Sequence, residues 1–278
     1  MSGEGTVLSG PTRSARPGRP GPSSGREDLG VAALEDNLRA VRSRIADAAR
    51  AAGRDPGSVT LLAVSKTWPA ADVRALAELG QRDFGENRAQ ELLAKAAELA
   101  SSADPPPVRW HFVGQLQRNK AAAVARLGAV VHSVDRASLA EVLSRAGVGG
   151  GRPVDVLLQV DLGGLAGELG RRGGAAPEQV PALAESVAGM PGLRLRGLMA
   201  VAPRGEAARP AFDRLAALAE RVRADHPEAV ELSAGMSGDL EEAITAGATI
   251  VRVGTAIFGN RPLPCGDDRA HQPHESHP

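Results

Sequence analysis

Val59-Thr60-Leu61-Leu62-Ala63-Val64-Ser65-Lys66 is an apolar run that ends in a lysine, and Pro69 follows three residues later. Apolar residues on both parities read as a strand buried on both faces, as in parallel sheets. Proline is tolerated in a first helical turn, so a helix is expected from Pro69 to Leu79, with Gly80 closing it. The same strand-then-helix unit recurs along the chain. Further strands are expected at 82–84, 110–114, 130–135, 154–162, 195–201, 230–233 and 249–253. Helical patterns fill the intervals at 88–99, 118–127, 137–146, 179–188, 210–224 and 240–246, and another lies ahead of the first strand at 31–52. Eight alternations, the last helix short or absent, favour a closed (β/α)₈ barrel of the α/β class over an open sheet.

The barrel is expected to span 29–262. Residues 1–28 and 263–278 are rich in small and polar residues, the composition of disordered tails. His271, His274 and His277 in the second tail have no periodic pattern that would hold them on one face for a metal. The 33 basic and 33 acidic residues cancel, so no basic field argues for nucleic acid. One cysteine, Cys265, excludes a disulfide framework and a cysteine-based zinc site. No stretch approaches the ~20 apolar residues of a membrane span. The first residues lack the apolar core of a signal peptide. A soluble cytoplasmic protein is expected, and a monomer, because no strong apolar surface stripe stands out.

Lysine occurs only at Lys66, Lys95 and Lys120, and tyrosine not at all. Lys66 ends the first strand, the end where barrels of this kind collect their active sites. If it points inward, so do Val64, Leu62 and Thr60. Partial desolvation there frees an amine to attack an aldehyde; the alternative is a lysine that snorkels into solvent. After strand seven comes Ala234-Gly235-Met236-Ser237-Gly238-Asp239, in which Ser237 is an N-cap candidate. Strand eight leads into Gly254 and Thr255. Loops after strands seven and eight are the recurring phosphate site of the fold. The alternatives are a plain cap and a plain turn. Arg252 shares the parity of Gly254 and needs an acceptor if buried. It suits a pyridine nitrogen, which it would keep unprotonated, or a salt bridge to a carboxylate such as Asp161. Asn87, in Gly85-Glu86-Asn87, could contact a ligand or cap the next helix, and Asp135 likewise could bind or cap. His111 reads as a satisfied core or rim residue, and Lys120 as a helix-start cation with or without a nearby anion.

Taken in order, these motifs resemble the pyridoxal 5′-phosphate (PLP) homeostasis proteins, the PROSC or YggS family. The resemblance rests on Val64-Ser65-Lys66 with Pro69, Phe84-Gly85-Glu86-Asn87, the run from Trp110 to Lys120, Arg196-Gly197-Leu198-Met199, Leu232-Ser233 with Gly235-Met236-Ser237, and the run from Val251 to Gly259. It implies an alanine-racemase-like barrel with PLP held as a Schiff base on Lys66. Arg252 falls at the ring nitrogen, and Ser237, Gly254 and Thr255 at the phosphate. It implies a PLP carrier in vitamin B6 balance, with PLP-dependent apoenzymes as recipients and no turnover of its own. Departures from the pattern fall at Ala234, Gly238, Arg88 and the loop 163–174 with Arg171 and Arg172. The alternative, a PLP-dependent racemase or decarboxylase, needs an acid–base group in place of the tyrosine that related racemases use; His111 or Asp135 are the candidates. A metal-dependent lyase needs clustered carboxylates or histidines at strand ends, and no such cluster is visible.

Overall fold

The computed structural model describes residues 30–163, 173–203, 205 and 207–259. The expectations for the two tails, and for Arg171 and Arg172, lie outside those residues. Helix α1 (Val31–Ala51) precedes β1 (Thr60–Val64). The alternation then runs α2 (Ala70–Glu78), β2 (Asp83–Glu86), α3 (Ala89–Ala100), β3 (Arg109–Phe112), α4 (Arg118–Leu127), β4 (Val130–Val134) and α5 (Ala137–Gly149). It continues with β5 (Val154–Val160), α6 (Val180–Ala188), β6 (Leu193–Ala200), α7 (Ala208–Asp225), β7 (Glu231–Ser233), α8 (Leu240–Thr245), β8 (Ile250–Val253) and α9 (Thr255–Phe258).

The strands form a closed parallel barrel in sequence order, with β1 pairing β8 from Thr60↔Ile250 to Ala63↔Val253. The two faces of each strand do different work. Leu61 and Ala63 join the continuous apolar layer between sheet and helices. Leu62 and Val64 take the opposite parity and point inward, as expected, with Leu62 packed in the space that Gly85 leaves free. Val130, Leu157 and Met199 form a separate small cluster inside the barrel. At Gly197 (φ 150°) an added Cβ would lie 1.8 Å from the Glu231 carbonyl oxygen, so this glycine is what lets β6 close on β7.

Element boundaries move by one to three residues from expectation: β5 stops at Val160, β6 begins at Leu193, α7 at Ala208, and α5 runs on to Gly149. The last helix is short, as expected, at four residues, and α1 completes the helical ring, packing against α2, α8 and α9. Leu34, Leu38, Val41 and Ile45 recur at helical spacing and bury one stripe of α1, worth about 1.5–3 kcal/mol per side chain. Polar contacts fix the register. Asn37 Nδ2 donates to the Ile257 carbonyl (2.9 Å), Arg44 to Glu241 and the Ser237 carbonyl (3.1 Å), and Arg54 to the carbonyls of Ile244 and Ala248 (2.8 Å each).

Candidate functional site

The C-terminal ends of the strands surround a cavity of about 500 Å³. Lys66, Asn87, Ser237, Arg252, Gly254 and Thr255 all line it, with Trp68 and Met236 beside them. Six positions drawn from four separate loops and strand ends thus meet in one place. No group of three or more His, Cys, Asp or Glu able to hold a metal occurs among the described residues.

Lys66 occupies a tight turn: the Trp68 N–H donates to the Ser65 carbonyl at 3.0 Å, and Thr67 has φ 70°. A β-branched residue with positive φ is strained, and such a conformation persists only where its surroundings enforce it. The enforcing group is a buried ionic cluster. Lys95 Nζ donates to the Ser65 carbonyl (2.7 Å), Glu86 Oε1 (2.6 Å) and Glu91 Oε1 (2.8 Å). The Ser65 hydroxyl donates to Glu86 Oε1 at 2.7 Å, and the Thr67 N–H donates to Glu91. Burial pushes the Glu86 carboxyl up, with Lys95 and Ser65 pulling it back down. Its second oxygen has no partner among the described residues. Lys66 itself is exposed and no protein group holds its ammonium among the described residues. The expected desolvation is therefore not met: the strand ends before the lysine, and the turn lifts the side chain into an open cavity.

Arg252 is buried, and burial brings its pKa down to about 10, so it stays charged at neutral pH. It forms no salt bridge to Asp161, whose Oδ1 accepts instead from the Gly163 N–H at 2.9 Å. Its guanidinium donates to the Ser233 carbonyl (2.6 Å), Ser233 Oγ (2.8 Å) and the Ala200 carbonyl (2.7 Å), which aims the remaining edge at the cavity.

Ser237 is not an N-cap; Asp239 takes that place on α8. The Ser237 hydroxyl instead accepts from the Ala256 N–H at 3.4 Å, tying the loop after β7 to the loop after β8. Among the described residues the backbone N–H groups of Ser237, Gly238 and Thr255 donate to no protein acceptor. Gly254 lies close enough to β1 that a Cβ would sit 3.1 Å from the Val64 carbonyl oxygen. Asn87 caps nothing: the N-cap of α3 is Arg88. Asp135 is no cap either, since Arg136 precedes α5 and pairs with Asp135. His111 is satisfied, as expected, by Asp83 and His132. Lys120 lies away from this cavity, half-buried in a smaller one of about 270 Å³ beside Gln115 and Gln117.

Sequence reasoning missed Lys95, Glu86 and Glu91 as a unit, and His132 with Ser233. The signals existed. Lys95 is one of three lysines and stands four residues after Glu91 on a helix. His132 interrupts an apolar strand.

An eight-stranded parallel barrel with a lysine and an arginine converging at its C-terminal rim, facing two loops with free backbone donors, is the class of fold and site found here. The chain belongs to the family described as alanine racemase, N-terminal domain, which matches residues 31–262. Within that class it is 48% identical over 232 residues to a "Pyridoxal phosphate homeostasis protein" of Pseudomonas aeruginosa, covering 83% of this chain and 97% of the relative. A protein of the same name from Mycobacterium tuberculosis is 44% identical over 245 residues, covering 83% and 93%. Among solved structures, PipY of Synechococcus elongatus with PLP bound superimposes with a TM-score of 0.70 at 37% identity, covering 81% of this chain and 100% of that one. Alanine racemase from Streptomyces coelicolor shares the fold at 22% identity and a TM-score of 0.63; the match covers 84% of this chain and 59% of the racemase.

Proposed function

We propose that this chain binds PLP in the cavity at the barrel's C-terminal rim and acts in intracellular PLP homeostasis, holding the cofactor as a Schiff base on Lys66. The observation that carries the reading is the convergence of Lys66, Arg252 and the paired loops after β7 and β8 on one cavity. Its volume suits a small cofactor. The residues present fit the group. Lys66 offers a free amine for the aldehyde; on condensation a C=N bond forms and the aldehyde oxygen leaves as water. Ser237, Gly254 and Thr255, with the free N–H groups nearby, offer donors to a phosphate. Arg252 would face the ring nitrogen of a bound PLP, and Asn87 would supply a further polar contact from the wall. PLP supplies an electron sink when its ring nitrogen is protonated. A guanidinium that keeps its proton holds that nitrogen unprotonated and weakens the sink. That electronic setting suits a carrier better than a catalyst, and relatives bearing the homeostasis name support it.

The exposure of Lys66 supports exchange of the cofactor with PLP-dependent apoenzymes. Among the described residues the exposed large apolar side chains are Val31 on α1, Val148 on α5, and Val230 and Met236 on either side of β7, a scatter along the sequence that supports a monomer. No described helix is long and apolar enough to cross a membrane, in keeping with the proposed cytoplasmic site of action. The test is absorbance of the purified protein with added PLP, before and after borohydride, beside Lys66→Ala. A near-ultraviolet or visible band that borohydride fixes onto Lys66, absent from the variant, is expected. Absence of any band overturns the reading, and robust Lys66-dependent racemisation of amino acids would overturn the carrier role alone.

A further inference from the structure

Below the cavity floor, five side chains from five strands form one line through the barrel interior. Arg252 (β8) donates to Ser233 Oγ (β7) at 2.8 Å, and Ser233 Oγ lies 3.0 Å from His132 Nδ1 (β4). His132 Nε2 lies 2.9 Å from His111 Nδ1 (β3), whose Nε2 lies 2.9 Å from Asp83 Oδ1 (β2). His111, His132, Ser233 and Arg252 are all buried.

Donor counting orients the line. A guanidinium only donates, so Ser233 Oγ accepts from it and spends its single proton on His132 Nδ1. His132 then carries its proton on Nε2 and donates to His111 Nδ1. His111 in turn carries its proton on Nε2 and donates to the Asp83 carboxylate. Every donor has an acceptor, and both imidazoles are neutral. The competing arrangement has a His111 imidazolium donating both ways and His132 donating to Ser233. It places a second cation in the interior near Arg252 and leaves the Ser233 proton without an acceptor.

We infer that Ser233 and His132, backed by His111 and Asp83, are positioning residues for Arg252: a one-way hydrogen-bond relay that fixes where the guanidinium points. The charged surroundings agree with it. His132 is held well below the usual histidine range by burial first, with the Arg252 and Arg109 cations adding to it. At the foot of the barrel Arg109 faces Asp83 and Asp155, and Asp155 also pairs with Arg194. Asp83, which ends the relay, is also the acidic group nearest the two imidazoles. The consequence for Arg252 at a ring nitrogen rests on the proposed PLP reading; the relay itself does not.

Two arms separate those claims. In the first, long-range ¹⁵N–¹H spectra of the ligand-free protein report the histidine tautomers, assigned with His111→Gln and His132→Gln. Nε2–H tautomers at both positions, with His132 not titrating between about pH 5.5 and 8, are expected from a neutral imidazole held well below the usual histidine range. An imidazolium at His111, or a proton on His132 Nδ1, overturns the relay whether or not the protein binds PLP. In the second arm, PLP binding and the pH dependence of the bound-cofactor absorbance are compared for wild type, His132→Phe, Ser233→Ala and Leu157→Ala. Leu157 lies in the same interior but outside the relay, so its truncation reports packing alone. Ser233→Ala, which removes a hydrogen bond to a charged group, is expected to weaken PLP binding at least about tenfold, His132→Phe somewhat less, and both to make the spectrum pH-dependent. Leu157→Ala is expected to lower the melting temperature with the wild-type spectrum kept. Wild-type spectra for both relay variants, or the same spectral change in Leu157→Ala, refute the positioning role. If wild type itself takes up no PLP, the functional reading falls and the tautomers alone decide the relay.

Discussion

Replacing Lys95 with methionine removes the cation from a cluster in which the Lys95 side chain is 8% exposed and the Glu86 side chain 0%. Methionine fills the apolar stem of the lysine but leaves the Glu86 carboxylate with the Ser65 hydroxyl as its remaining partner. Breaking a buried pair from one side typically costs about 3–5 kcal/mol, because an uncompensated charge stays behind. At roughly 2–4 °C per kcal/mol for a domain of this size, the melting temperature falls by about 6–20 °C. The loss depends on pH in a fixed direction. Glu86 already has a raised pKa in the folded state, and loss of Lys95 raises it further. Between the unfolded and the folded pKa the native state binds the extra proton, so stability falls as pH rises through that window. The deficit of Lys95→Met relative to wild type is therefore largest near pH 8 and shrinks toward pH 5. Circular-dichroism melts at both pH values measure it. The double variant with Glu86→Gln removes the orphaned charge and recovers part of the loss. A melting temperature at pH 8 within about 2 °C of wild type, below the span the cost implies, refutes the reasoning, as does a deficit that grows on acidification.

Three other substitutions probe two separate parts of the molecule. Ser237→Ala and Thr255→Val each remove one neutral donor from the proposed phosphate loops. At about 0.5–1.5 kcal/mol per bond, each raises the PLP dissociation constant roughly 2- to 12-fold while leaving that of unphosphorylated pyridoxal unchanged; equal losses for both ligands place the contact elsewhere. Gly197→Ala pushes a methyl into the Glu231 carbonyl and forces β6 from β7. Overpacking of that kind costs about 1–3 kcal/mol, read in a urea titration as a lowered midpoint; an unchanged midpoint shows that the strands part freely.

Periodicity made the barrel legible because buried parallel strands and their helices differ so sharply in pattern. The run from Val59 to Val64 and the Pro69 start carried that information locally. The site residues were legible for a related reason: the fold sends the ends of its strands to one rim, so Lys66, Arg252, Gly254 and Thr255 could be placed without coordinates. Pairing was not legible. Ser237 has the chemistry of a cap, and only the meeting of two loops turns its hydroxyl toward Ala256. Lys95 and Glu86 lie nine residues apart on a helix and a strand, and their contact depends on how α3 packs beside β2. His132 and Ser233 are separated by 101 residues, a distance that no local pattern spans. The exposure of Lys66 was misjudged because the strand stops short of it.

Helix α1 takes the place that a full helix after β8 would occupy, and Arg44 on it reaches the Ser237 carbonyl. The ring is fastened by a clasp made from both ends of the described chain. During synthesis α1 emerges before the other described elements, and of its helical partners only α2 follows soon; α8 and α9 come about two hundred residues later. Contacts between such distant segments close a long stretch of chain, at an entropy cost that local contacts do not carry. The loops proposed to grip phosphate take shape at that same seam. A nascent chain therefore cannot offer a finished cavity until Arg252, Gly254 and Thr255 have been made, and α1, through Arg44, holds the loop that carries Ser237.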